Sequence, residues 1–169
     1  MTIRELTEAD IPVLRDIAIK IFRDTFTHSN TPENLEAFLK RDYNTESFKK
    51  EFGEPGSRYF FISDGDRIAG YLRLRKNPEV DHILGKNTIE IHRIYVDPEY
   101  HGKKVGDQLM QFSIDIANQD KHDWIWLGVW EHNPRAIKFY TKWGFERFSE
   151  HDFFMGDEKQ TDFLLRKKL

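Results

Sequence analysis

The chain has 169 residues, enough for one core but not for two independent ones. Its net charge is −3, with acidic and basic residues interspersed, which argues against a nucleic-acid footprint. It holds no cysteine, so disulfides, thiolate metal sites and a cysteine acyl-enzyme are excluded.

Residues 2–6 read as a short strand. Thr7 then caps a helix over residues 9–26, where Ile11, Leu14, Ile17, Ala18, Ile21 and Phe22 keep helical spacing. Thr31-Pro32-Glu33 starts a second helix, with Leu35, Phe38 and Leu39 as its apolar stripe. A third begins near Thr45 and closes at Gly53. Residues 58–63 and 67–75 form a hairpin about Asp64-Gly65-Asp66, and Gly70 marks a bulge in the return strand. A loop over 76–87 leads to a strand over 88–96, ended by Asp97-Pro98. A helix over 104–118, a buried strand over 124–130 and a helix from Asn133-Pro134 to Gly144 follow. Residues 145–155 and 163–168 are the last strands. This order predicts one mixed α/β or α+β domain over 1–169, with a partly parallel centre. Met1 is followed by no apolar leader, and the run from Trp124 to Trp130 is too short to cross a bilayer. The expected location is the cytoplasm.

One segment carries chemistry. From Val96 to Asp107 a strand stops, a glycine-containing loop turns and a helix begins. Free N–H groups and the positive dipole end at such a helix start suit a pyrophosphate. Gly102 and Gly106 admit close approach, and Lys103 and Lys104 add charge. Such turns are common, and neither the dinucleotide spacing nor a Walker loop is present, so the segment alone does not decide. No pair among the seven histidines has metal-ligand spacing, and no metal is expected.

This strand, loop and helix resembles motif A of the GNAT superfamily of acetyltransferases, whose loop reads Arg/Gln-x-x-Gly-x-Gly/Ala. His101 stands at the first position, Lys104 at the first glycine and Gly106 at the second. If the first glycine needs a positive φ, Lys104 is strained there, at a cost to coenzyme affinity. The run Trp126 to Glu131, with Asn133, Ala136, Phe139-Tyr140 and Gly144-Phe145, resembles motif B of the same superfamily. His151 to Glu158, Gln160-Thr161-Asp162, Asp24-Thr25-Phe26, Pro32-Glu33-Asn34 and Asn44-Thr45-Glu46 resemble the bacterial PaiA-type spermine/spermidine acetyltransferases.

The resemblance implies a mixed, mostly antiparallel sheet flanked by helices. Acetyl-CoA would bind at the turn between the fourth strand and the next helix. Its acetyl group would pass directly to a small amine, most simply a polyamine, in a ternary complex. Main-chain groups of Ile94, Tyr95 and Val96 would hold the pantetheine arm, and His101, Gly102, Lys103, Lys104, Val105, Gly106 and Asp107 the pyrophosphate. Asn133 would contact the coenzyme, and Tyr140 would protonate the leaving sulfur. Asn133 and Tyr140, two turns apart, share a helix face.

The amine must lose its proton, and either Glu90 or His92, on one face of their strand, could relay it through water. A cationic acceptor would meet carboxylates and aromatic faces. Glu33, Glu36, Asp42, Glu46, Phe26 and Tyr43 are candidates, with residues 153–157 as the other wall. A homodimer is compatible with this reading. Two alternatives stand beside it: a protein N-terminus or lysine as acceptor, and a coenzyme-sensing domain without catalysis.

Overall fold

The computed structural model describes residues 1–169. Seven strands form one sheet: β1 (Thr2–Glu5), β2 (Arg58–Asp64), β3 (Arg67–Arg75), β4 (Thr88–Val96), β5 (Trp124–Trp130), β6 (Glu146–Met155) and β7 (Glu158–Lys168). Their spatial order is β1-β2-β3-β4-β5-β7-β6. Only β4 and β5 run parallel; every other neighbouring pair is antiparallel. The helices are α1 (Ile11–Phe26), α2 (Pro32–Asp42), α3 (Thr45–Phe52), α4 (Asp81–Leu84), α5 (Val105–Gln119) and α6 (Pro134–Lys142). None is long and apolar enough to cross a membrane.

The period-2 alternation of the strands feeds two cores. In β2, Phe60 and Ile62 join Leu109, Met110 and Ala117 of α5 on one face. Tyr59 and Phe61 join Leu14, Ala18 and Ile21 of α1, with Leu39 and Phe48, on the other. Helices thus cover both faces, which is why β2 and β3 read as continuous apolar runs.

Two departures from regularity shape the centre. Arg73 pairs with Arg93 but Leu74 with Ile91, so His92 is an extra residue bulged out of β4. At Gly70 a Cβ would stand 2.4 Å from the Tyr95 carbonyl oxygen, so only glycine lets β3 lie that close to β4. The expected bulge is there too: Ala69 is the unpaired residue beside Gly70.

Three boundaries differ from those expected. Residues 8–10 form a 3-10 turn before α1, because the Asp10 carboxylate accepts from the Thr7 N–H at 2.8 Å and tightens the first turn. The segment 76–87 is not plain loop: a turn at Pro78–Val80 and α4 bury Val80 and Leu84 against Trp126. β7 begins at Glu158 rather than Phe163, since it leaves β6 by a tight turn at Gly156-Asp157. Its polar stretch Gln160-Thr161-Asp162 shows no apolar alternation to betray a strand.

Candidate active site

β4 and β5 pair only where Thr88, Ile89 and Glu90 face Trp124, Ile125 and Trp126. Beyond Glu90 the two strands diverge, β4 keeping only β3 and β5 keeping only β7. A cavity of about 640 Å³ fills the gap. It runs from the turn before α5 to the aromatic ends of α1 and α2.

At the first end, the sequence-expected loop builds an anion cradle. The N–H groups of Gly102, Lys104, Val105, Gly106 and Asp107 have no acceptor in the protein; the Lys103 N–H is spent on the Tyr100 carbonyl. Those same residues with free N–H groups line the cavity, and Lys103 does not. Its ammonium lies over the Tyr100 ring at 4.8 Å. Lys104 holds φ 62°, ψ 17° at the start of α5, the left-handed conformation that glycine adopts freely. The Asp107 carboxylate accepts from the Trp143 indole at 3.1 Å, which pins α5 to α6.

His101 also lines the cavity, but its ring is fully used. An arginine can only donate and a carbonyl only accept, so Nδ1 accepts from Arg135 Nη1 at 3.1 Å and Nε2 donates to the Val96 carbonyl at 3.2 Å. Burial and the Arg135 charge lower its pKa, keeping it neutral. The ring therefore places Arg135 in the cavity wall instead of offering a nitrogen to a phosphate. Arg135 was missed in the sequence, being distant in the chain and on a different element.

Along the middle lie Ile94, Tyr95 and Val96, with Asn133 and Tyr140 across from them. Asn133 Oδ1 caps α6 by accepting from the Ala136 N–H at 3.1 Å, leaving its amide nitrogen free. Tyr140 is buried, makes no hydrogen bond within the protein, and has its pKa raised by burial, so it holds its proton.

Glu90 and His92 both line the cavity. Arg75 Nε donates to Glu90 Oε2 at 2.5 Å and Asn77 Nδ2 to the same oxygen at 2.9 Å, whereas Oε1 has only a 3.4 Å contact to Arg75. His92 Nδ1 accepts from Arg73 Nη1 at 2.8 Å, which leaves the proton on Nε2. Burial first, then Arg93, Arg75 and Arg73, drive the His92 pKa well down.

At the far end the cavity is aromatic: Phe22, Phe26, Phe38, Tyr43, Trp130 and Phe153 line it. Of the expected acidic candidates only Asp42 lines it. Glu36 pairs with Arg23 and Glu46 with Lys49, both on the surface, and Glu33 is exposed. The sequence did not point to His151 or Asp162 as cavity residues; β6 and β7 bring both in.

Residues 15–145 match the model of the acetyltransferase (GNAT) family. A protein of Lactobacillus delbrueckii described as an uncharacterized N-acetyltransferase is 38% identical over 98% of this chain and 95% of its own length. A spermidine N(1)-acetyltransferase of Thermoplasma acidophilum is 24% identical over 98% of this chain and 96% of its own. The crystal structure of a PaiA N-acetyltransferase from Thermoplasma acidophilum in complex with coenzyme A superposes with a TM-score of 0.79 at 23% identity. That match covers 99% of this chain and 98% of the other, and it bears out the mixed, mostly antiparallel fold.

Proposed function

The chain belongs to the acetyltransferase (GNAT) family and is an acetyl-CoA-dependent N-acetyltransferase; on that premise we propose that its acceptor is a small primary amine. The observation that carries this is the roof over the acceptor end. Gln160 Nε2 donates to Asn30 Oδ1 at 3.1 Å, and Arg41 Nη2 to the Phe154 carbonyl at 3.2 Å. Met155 is buried with Leu35, Leu39 and Phe22. The β6–β7 hairpin thus closes onto the α1–α2 segment, whereas a protein acceptor needs a groove open at both ends.

Acetyl-CoA supplies the thioester. The unpartnered N–H groups of Gly102, Lys104, Val105, Gly106 and Asp107 fit its pyrophosphate, with the dipole of α5 and the Lys104 and Arg135 charges behind them. On the open side of β4, where no strand pairs, Ile94 and the Val96 N–H offer main-chain groups, while the Tyr95 carbonyl faces β3 and the Val96 carbonyl accepts from His101. Cradle and chamber together hold coenzyme and amine in one cavity, which turns a bimolecular encounter into an oriented one. Tyr140 is the general acid: its hydroxyl is protonated at neutral pH and free to donate to the departing sulfur. Glu90 is the better base of the two candidates, since Oε1 has room to accept a proton through water, while His92 presents a proton of its own.

Polyamines head the list of acceptors, supported by the name of the Thermoplasma relative and by the cation-binding character of aromatic rings. Purified protein is mixed with acetyl-CoA and a panel of monoamines, putrescine, spermidine, spermine and peptides, and free thiol is followed. We expect turnover with small amines. Silence with every di- and polyamine discards the polyamine reading; peptides acetylated far faster than any small amine overturn the small acceptor.

A further inference from the structure

Asp162 sits beside Trp130 in the β5–β7 register, so both side chains leave the sheet on the same side. Both line the cavity. At Gly128, also in the wall, a Cβ would stand 3.3 Å from Asp162 Oδ2, so the missing side chain leaves the carboxylate uncovered. Trp130 is itself part of a cluster of three rings that line the cavity. Phe26 stands edge-on to Trp130 at 6.4 Å and edge-on to Tyr95 at 6.4 Å. The Trp130 indole nitrogen is buried without a partner.

Behind the carboxylate lies a short relay. His151 Nε2 is 3.4 Å from Asp162 Oδ2, and Nδ1 is 2.5 Å from Glu79 Oε1. The hydrogen bonds to Asp162 and Glu79 raise the His151 pKa to about 9, so the ring is a cation between two anions. One negative charge is left uncompensated. The three groups do not form a metal site. Asp42 and Glu90, also in the cavity wall, already have arginine partners, Arg41 and Arg75.

We propose that Asp162, beside Trp130 and in one cavity with the Phe26 and Tyr95 rings, is the subsite that docks the acceptor's ammonium group. A carboxylate supplies the counter-charge, and aromatic faces supply the cation–π attraction that a hydrated surface carboxylate lacks. His151 is a positioning residue: it holds the Asp162 carboxylate in place while Gly128 keeps it open. The inference rests on the small-amine reading, which it narrows. The subsite docks one ammonium group of the acceptor; a further ammonium of a polyamine would lie along the cavity, where Asp42 and Glu90 already have arginine partners.

The test separates this subsite from the activity itself. Protein saturated with coenzyme A is titrated with spermidine and with 2-phenylethylamine by calorimetry. Wild type is expected to bind both amines, and Asp162→Asn to weaken each about 10- to 100-fold, in the range of losing a hydrogen bond to a charged group. Coenzyme affinity stays within error, and Asp162→Glu recovers part of the loss. In turnover the same substitution raises KM for the amine while KM for acetyl-CoA moves less than twofold. Undiminished amine binding by Asp162→Asn, or no amine binding by wild type, overturns the subsite. Normal acetylation with an unmoved amine KM sinks the subsite alone and leaves the enzyme standing.

Discussion

Arg135 on α6 donates to one nitrogen of the His101 ring at 3.1 Å, and the other nitrogen donates to the Val96 carbonyl at 3.2 Å. A single imidazole thus ties the helix after β5 to the end of β4, across the coenzyme cradle. It also explains how a histidine serves where relatives of this motif carry Arg or Gln: the charge comes from Arg135, and His101 aims it. Arg135→Ala is expected to weaken coenzyme A binding about tenfold, the worth of one charge-assisted contact. His101→Ala is expected to cost nearly as much, and the double variant little more than either alone. Calorimetry on the three variants decides; additive losses would show that the two residues act separately.

Tyr140→Phe removes only an oxygen that no protein group uses. Its expected effect is a fall in kcat of about 10²-fold or more, the ordinary worth of general acid catalysis, with KM for acetyl-CoA little changed. Thiol release under saturating substrates measures it. An unchanged kcat would take the proton-donor role away from Tyr140.

Lys104 occupies a left-handed backbone conformation at the head of α5. A side chain with a Cβ costs roughly 1 kcal/mol there relative to glycine, part of which glycine gives back as unfolded-state freedom. Lys104→Gly is therefore expected to raise the unfolding free energy by up to about 1 kcal/mol in urea titrations. A loss of stability would mean that the lysine side chain itself holds the turn.

His151 gives the protein a pH signature. Its pKa is raised from 6.5 to about 9 by Asp162 first and Glu79 second. The folded state holds the proton more tightly than the unfolded one. Its stabilisation is therefore full below about pH 6.5 and fades as pH climbs through about 9. The stability gap between wild type and His151→Gln, measured by urea unfolding at pH 6, 7.5 and 9.5, is expected to shrink across that window. A gap constant with pH would show that the ring is not charged in the folded protein.

What could be read in the chain was local. The cradle was legible because a strand end, Asp97-Pro98, two glycines and a helix start follow one another within a dozen residues. Asn133 was legible as a helix cap and Tyr140 as its neighbour on one helix face, but the roles expected of them came from the family resemblance. The acceptor chamber was not. Asp162 and His151 face each other across β6 and β7, and Asp162 meets Trp130 across β5 and β7, so their proximity exists only after the sheet has formed. Arg135 was hidden for the same reason. The His92 bulge left no mark either, because every residue around it is a good strand former or a buried charge.

The short parallel match of β4 to β5 has a mechanical meaning. Thr88, Ile89 and Glu90 are the only stitches joining the first four strands to the last three. Beyond them the seam lies open, and a pantetheine arm along β4 would sew it shut like an eighth strand of foreign chemistry. The cosubstrate would then brace this seam as well as react in it, beside the α5 core that already joins the two halves of the sheet.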